Sequence, residues 1–254
     1  MVHTSPSPLL CEEIRPDPRP EYGELRLKIL ACGVCRTDLH VVDGDLPPQR
    51  ASVVPGHEIV GRVDAIGEGV TGVSLGQRLG VSWLGATCGR CRYCLSGEEN
   101  LCEAPEFTGW TRDGGYAEAV IARAGFCFPV PDSLTDAEAA PLMCAGLIGY
   151  RAWRKAYEGR PVERLGLYGF GAAAHLLAQL AMWKGQAVYA FTRSADEPAQ
   201  ALARALGCRW VGGSDESPPE ELDAAIIFAP VGSLVPAALR AIRKAGSWFA
   251  VGST

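Results

Sequence analysis

Four cysteines crowded into one short loop constrain this chain more than any other feature. Cys88, Cys91, Cys94 and Cys102 follow the spacing C-x2-C-x2-C-x7-C within "TCGRCRYCLSGEENLC" (87–102). A loop of that size buries too little apolar surface to order itself, and "LSGEEN" between the last two cysteines is wholly solvent-like. Four thiolates on a tetrahedral zinc ion organise such a lobe, because metal binding then supplies the folding free energy. An iron–sulfur cluster is the rival, but a ferredoxin run closes with a gap of about three residues and a following proline. Here the last gap is seven residues and Glu103 follows Cys102. Disulfides or free thiols are the remaining alternatives. A closed site with four sulfurs has no open position for a substrate, so the lobe at 87–103 is expected to be scaffolding.

The rest of the composition bounds where such a chain works. Ten cysteines are many for a reducing compartment, where clustered thiols more often hold metal than form disulfides. Taken singly, Cys11, Cys32, Cys35, Cys127, Cys144 and Cys208 read as small buried hydrophobes. The net charge of -5 comes without a basic run, which argues against nucleic acid. The opening "MVHTSPSPLLCEEIRPDPRPEYG" lacks a cationic region followed by a long apolar stretch, so no signal peptide is expected. The nearest thing to a membrane span, "LDAAIIFAPVGSLVPAALRAI", is broken by Asp223, Pro230 and Pro236 and reads as strand, loop and helix. A cytoplasmic protein is expected.

Texture changes near the middle. Up to about residue 130, short alternating runs such as Leu25, Leu27 and Ile29 against Arg26 and Lys28 are broken by Gly and Pro, as in an irregular β-rich domain. After about residue 147, strands "RLGLYGF", "AVYAFT", "LDAAIIFAP" and "SWFAVGS" alternate with helices "AAAHLLAQLAMWKG", "DEPAQALARALG" and "SLVPAALRAIRKAG". That alternation predicts a doubly wound parallel sheet and an α/β chain. The expected domains are 1–146 and 147–254.

"GFGAAAH" follows a predicted strand and opens a helix, the context of a dinucleotide-binding fingerprint. Gly169 permits the tight turn, Gly171 lets backbone approach a pyrophosphate, and Ala174 takes the third glycine's place. The next strand ends "YAFTRS", with Thr192, Arg193 and Ser194 where a carboxylate normally selects NAD. An arginine flanked by hydroxyls suits a 2′-phosphate, so NADP(H) is the expected coenzyme, with NAD(H) possible through Asp196. Arg193 as a solvated surface charge is the plain alternative.

"GVCRTDLH" (33–40), "PGHEIVG" (55–61) and "EAAPLMCAGLIGYRAW" (138–153) each carry one potential metal ligand: Cys35, His57 and Cys144. Alone, each is a weak signal, and His57 beside Glu58 reads as a satisfied core histidine. Together with the cysteine loop and "FTGWTRDGGYAE", in this order, they resemble the medium-chain, zinc-dependent alcohol dehydrogenase family. The similarity runs from about residue 10 to the last residue. It implies a GroES-like catalytic domain followed by a Rossmann domain. It further implies two zinc ions per chain: a catalytic one on Cys35, His57 and Cys144, with Glu58 as alternate ligand, and a structural one on Cys88, Cys91, Cys94 and Cys102. By the same resemblance, Thr37 matches a hydroxyl relay and His40 the outer base that passes the proton to solvent. Asp38 matches the carboxylate that orients His57, and Arg36 a cation for the coenzyme pyrophosphate. Trp83 and Trp110 fall where relatives line the substrate pocket. The implied reaction interconverts a primary or secondary alcohol with its aldehyde or ketone.

The chain stops at "AGSWFAVGST", whereas the family continues with a last sheet strand that commonly makes the dimer contact. An unpaired sheet edge and an incomplete cleft are therefore expected. A homologue that binds zinc and dinucleotide but has lost its chemistry is the second reading. A zinc-free quinone reductase of the same superfamily is a third, although such relatives usually lack both zinc sites.

Overall fold

A computed structural model describes residues 1–5, 7, 9–157 and 161–251. The chain divides into two compact units, Met1–Cys144 and Ala145–Thr254.

The first unit is built on an antiparallel sheet. Its strands are β1 (Glu24–Gly33), β2 (Glu58–Ile66), β3 (Arg78–Val81), β4 (Ala119–Arg123) and β5 (Cys127–Pro129), in the order β5-β3-β2-β1-β4. Alternation sets one face inward: Leu25, Leu27, Ile59, Val63, Leu79, Val81, Val120 and Ala122 form its core. Irregularities in the β1–β2 pairing, between Arg26 and Leu27 and between Ile29 and Ala31, bend the strands. Between β1 and β2 lies α1 (Arg36–Asp43), which Gly44 closes in the left-handed conformation at φ 79°. The cysteine loop has little regular structure, a turn of helix at Arg92–Leu95 and a 3-10 turn at Glu99–Leu101.

The second unit opens with α2 (Ala145–Ala156) and continues as β6 (Arg164–Tyr168), α3 (Ala172–Trp183), β7 (Ala187–Thr192), α4 (Glu197–Leu206), β8 (Trp210–Gly213), β9 (Leu222–Ile227), α5 (Leu234–Ala241) and β10 (Ile242–Ala250). The five strands are parallel in the order β8-β7-β6-β9-β10. Both faces are buried, which explains runs without polar alternation. Leu165, Leu167, Val188, Ala190, Ala224 and Ile226 meet the alanine-rich face of α3 (Ala174, Leu177, Ala178, Ala181). Tyr168, Tyr189, Phe191, Leu222, Ala225 and Ile227 pack on the other side with Ala238 of α5. The order reverses between β6 and β9, and the glycine loop leaves β6 at that switch point.

One expectation needs correction. The helix expected through Gly246 ends at Ala241, and β10 begins at Ile242. Ile242 pairs with Leu222 but Ser247 pairs with Ala224, so residues 243–246 bulge out, with Ala245 at φ 62°. Pairing with β9 overrides the helical propensity of "AIRKA". The strand β8 has no counterpart in the sequence reading. Among the described residues β10 pairs on one side only, with β9, and no helix is long and apolar enough to cross a membrane.

Candidate functional site

The end of β1 and the start of β2 are antiparallel partners, Gly33 opposite Glu58. That pairing brings the turn into α1, which carries Cys35, against the turn that carries His57. Cys144 arrives from far along the chain at the end of a 3-10 turn (Ala140–Met143). One ligand atom each from Cys35, His57, Glu58 and Cys144 lies within 4.8 Å of all the others. His57 is fully buried and Glu58 nearly so. The Glu58 carboxylate lies flat against Gly33, where an added Cβ would stand 2.0 Å from its Oε2.

Asp38, itself 2% exposed, accepts from Nδ1 of His57 at 2.8 Å and from the Cys35 backbone N–H at 2.8 Å. The opposite ring atom, Nε2 of His57, is buried and has no hydrogen-bond partner. The Cys35 sulfur is nevertheless near enough for its charge to act on the ring. Burial disfavours a charged His57, but the Asp38 hydrogen bond and then Cys35 outweigh it and hold its pKa up to about 9. The Cys144 thiol, hydrogen-bonded at 3.7 Å, is the largest influence drawing Cys35 down to about 4, against burial and with help from His57. The Cys35 thiolate, then burial, keep Cys144 protonated. A proton thus sits among anionic donors, the place a divalent cation would take.

The residues fit zinc. Two sulfurs on one tetrahedral zinc, each about 2.3 Å from it, stand about 3.8 Å apart. Cys35 and Cys144 are 3.7 Å apart. In the cysteine loop, Cys88–Cys94 is 3.9 Å and Cys91–Cys94 is 3.5 Å, with Cys102 in the same group. In a cluster the four cysteines are shared among two or four irons, which calls for a wider cage than a single ion does, and none of the ten cysteines is in a disulfide. Backbone N–H groups of Cys88 and Ala104 point at the Cys102 sulfur at 3.3 and 3.4 Å, and that of Cys91 at the Cys88 sulfur at 3.4 Å. Backbone donors lower Cys88, and bring Cys91 down to about 6. Burial of its sulfur raises Cys94 to about 11.

Around this centre, Thr37 and His40 stand three residues apart on α1 and so share a face. The Thr37 hydroxyl is 3.9 Å from the Cys35 sulfur. His40 is held through Nδ1 by Asp45 at 2.7 Å, a partner the sequence reading missed. Arg36 is exposed on the first turn of α1. The edge of His57 meets Trp83 at 5.1 Å, and Trp83 stacks on Phe107 at 5.1 Å and on Trp110 at 5.9 Å. Phe107 was also missed, although it opens the "FTGW" motif. Tyr116 is a third omission: its hydroxyl reaches Asp38 at 3.1 Å.

In the second unit Gly169 has φ 86°, and a Cβ there would stand 2.9 Å from that of Ala229. Gly171 caps α3 with open space around its Cα, and Ala174 is fully buried. The "TRS" trio is not brought together on one surface. Thr192 is buried, donating to the Arg193 carbonyl at 2.9 Å and accepting from Gln200 at 3.1 Å. Arg193 and Ser194 are exposed, paired with Asp196 at 3.3 Å and Asp215 at 2.7 Å.

Known proteins resemble this chain over nearly its whole length. Residues 21–132 match the alcohol dehydrogenase GroES-like domain. A probable alcohol dehydrogenase, AdhA, of Mycobacterium tuberculosis is 48% identical over 90% of this chain and 67% of its own length. Among solved structures, a cinnamyl alcohol dehydrogenase of Sorghum bicolor superposes with a TM-score of 0.87 at 29% identity, over 99% of this chain and 75% of that one. An acetophenone reductase of Geotrichum candidum in complex with NAD gives 0.84 at 30% identity, over 100% and 77%. With a GroES-like unit, a parallel sheet wound from a glycine loop and relatives of this name across nearly its whole length, the chain belongs to the medium-chain alcohol dehydrogenase family.

Proposed function

We propose that the chain is a zinc-dependent alcohol dehydrogenase that moves a hydride between a primary or secondary alcohol, or its aldehyde or ketone, and NADP(H) in preference to NAD(H). The observation that carries this reading is the buried Nε2 of His57. Its ring is fixed through Nδ1 on Asp38, and Nε2 has no hydrogen-bond partner beside two sulfurs 3.7 Å apart. Once its proton is lost, a ring nitrogen so placed suits a metal. Cys35, His57 and Cys144 hold the catalytic ion, Glu58 serves as an alternate ligand, and Cys88, Cys91, Cys94 and Cys102 hold a structural one.

When bound, zinc supplies the Lewis acidity that eases loss of the alcohol proton or polarises a carbonyl, and the coenzyme exchanges the hydride. This chain's own residues handle the proton. Thr37 Oγ1 receives it beside Cys35, and His40 passes it to solvent through Nε2, since Asp45 occupies Nδ1. Trp83 and Trp110, with Phe107, give the substrate an apolar wall next to His57. Gly169 and Gly171 open the start of α3 to a pyrophosphate, with Ala174 packed beneath. Arg193 and Ser194 receive the 2′-phosphate; the buried Thr192 shapes the strand end.

Alcohol-dependent coenzyme reduction by the purified protein tests this, with Cys35→Ala as control and kcat/KM measured for both coenzymes. Equal rates from wild type and Cys35→Ala overturn the catalytic zinc, and a clear preference for NAD overturns the coenzyme assignment. Zinc bound without turnover leaves the binding homologue.

A further inference from the structure

The Asp38 carboxylate is saturated. Oδ1 accepts from the Gly56 N–H at 3.1 Å and from Nδ1 of His57 at 2.8 Å. Oδ2 accepts from the Cys35 N–H at 2.8 Å and from the Tyr116 hydroxyl at 3.1 Å. An ionised carboxylate offers about four lone-pair sites, and here each has a donor. Three of the donors belong to the proposed ligands or their immediate chain: the peptide of Cys35, the ring of His57 and the peptide just before it. The fourth is a side chain 78 residues away in sequence.

That phenol is held in place by the same turn that carries His57. Gly114, Gly115 and Tyr116 donate backbone hydrogen bonds to the carbonyls of Val54, Gly56 and Pro55 at 2.6, 2.8 and 2.9 Å. Gly56 itself has φ 99°, and a Cβ on it would stand 2.7 Å from Cδ1 of the Tyr116 ring. A Cβ on Gly114 would lie 2.1 Å from the Gly56 carbonyl oxygen. The glycine pair in "DGGYAE" therefore lets one segment lie flat on the other and delivers the hydroxyl to Oδ2.

We propose that Tyr116 is a positioning residue for the metal centre. By filling the last lone pair of Asp38 it stops the carboxylate turning about its Cβ–Cγ bond. Oδ1 then stays on Nδ1 of His57, and the ring keeps its place in the group that holds the two cysteine sulfurs, with Nε2 clear of hydrogen-bond partners. Without the hydroxyl, a buried oxygen is under-satisfied and the carboxylate gains a second orientation, in which its grip on the imidazole is weaker. This inference rests on the proposed metal site at Cys35, His57 and Cys144.

The test is Tyr116→Phe, which keeps the ring and its packing. Metal release from wild type and variant is followed with a chromogenic chelator, and the cobalt(II)-substituted proteins are compared by their ligand-field spectra. The four-cysteine loop serves as an internal reference for folding. Outer partners of metal ligands change affinity about 10- to 100-fold. Tyr116 acts one bond further out, so we expect release from the His57 site to quicken about 3- to 10-fold. The loop site should be unchanged, and the cobalt bands should shift. Identical release and spectra in the two proteins overturn the inference, as does equal loosening of both sites, which marks a structural role only. A wild-type protein that binds metal on the four-cysteine loop alone takes down the metal-site reading itself, and the inference with it. Tyr116→Leu, which also removes the ring, should match the phenylalanine variant in metal release once normalised to the loop site; normal release from it contradicts the inference.

Discussion

Gly33 offers a perturbation of the proposed metal site that leaves Cys35, His57 and Cys144 intact and acts on the alternate ligand Glu58 alone. Its φ lies outside the left-handed region, so alanine there carries no backbone strain and the whole effect is steric. The new Cβ would stand 2.0 Å from Oε2 of Glu58, 3.1 Å from its Cδ and 3.0 Å from its Cβ. The carboxylate can swing aside, but the Cβ is fixed by the β1–β2 pairing of Gly33 with Glu58. Overpacking of this kind costs about 1–3 kcal/mol. For a chain of this size each kcal/mol lowers the midpoint by about 2–4 °C, so Gly33→Ala should melt roughly 2–12 °C lower. Calorimetry of Gly33→Ala, Glu58→Ala and the double variant closes a mutant cycle. Removing the carboxylate removes the 2.0 Å clash but leaves the 3.0 Å contact with Cβ. The double variant should therefore recover part of the loss, with a coupling of about 0.5–3 kcal/mol. A Gly33→Ala protein as stable as wild type, or a loss undiminished in the Glu58→Ala background, refutes this picture of a carboxylate wedged against the strand.

Other perturbations test the second unit. Asp196→Asn releases Arg193 from its ion pair while asparagine still caps α4 at the Ala199 N–H. An exposed pair is worth about 0.2–1 kcal/mol, so KM for NADP should fall roughly 1.4- to 5-fold with KM for NAD unchanged; parallel changes for both coenzymes refute the assignment. Asp223 is buried, and burial alone would raise its pKa. Its hydrogen bond from Arg243 at 2.6 Å and the Glu163 and Arg164 N–H groups outweigh that and hold the pKa below the usual carboxylate range. A folded-state pKa so depressed stabilises the protein above the unfolded value of about 3.9 and ceases to do so as pH falls through the folded value. Asp223→Asn should therefore cost about 1.5–3 kcal/mol at pH 7 and progressively less below about pH 4, read from urea midpoints. An equal cost at pH 7 and pH 3 contradicts the charge-based explanation.

The second unit was legible because its signals are local. "AVYAFT" is an apolar run between Gly185 and the polar "RSADE", and it is β7 residue for residue. "DEPAQALARALG" carries its own stop in Gly207, which sits at φ 92°. β8 escaped because it has only four residues, two of them glycine, and takes its conformation from pairing with β7. The end of α5 was misread because "AIRKA" favours helix on its own and only the pairing with β9 overrules it. The two metal groups differ in the same way. The cysteine loop is readable from spacing, since its four residues are near neighbours in sequence. Cys35 and Cys144 are 109 residues apart, and no spacing rule joins them; only the resemblance of whole motifs did. Tyr116 was invisible because a hydrogen bond to a distant segment leaves no pattern in the segment that donates it, and Asp45 because an acidic residue just past a helix reads as an ordinary loop residue.

The claim on which the rest depends is that Cys35, His57 and Cys144 grip a metal ion of their own. Zinc content per chain, measured by native mass spectrometry on wild type, Cys144→Ala and a variant lacking the loop cysteines Cys91 and Cys94, addresses it directly. The two groups of ligands predict two zinc ions in wild type and one in Cys144→Ala, lost from the site that holds His57. One zinc in wild type that survives Cys144→Ala but vanishes with Cys91 and Cys94 contradicts the claim.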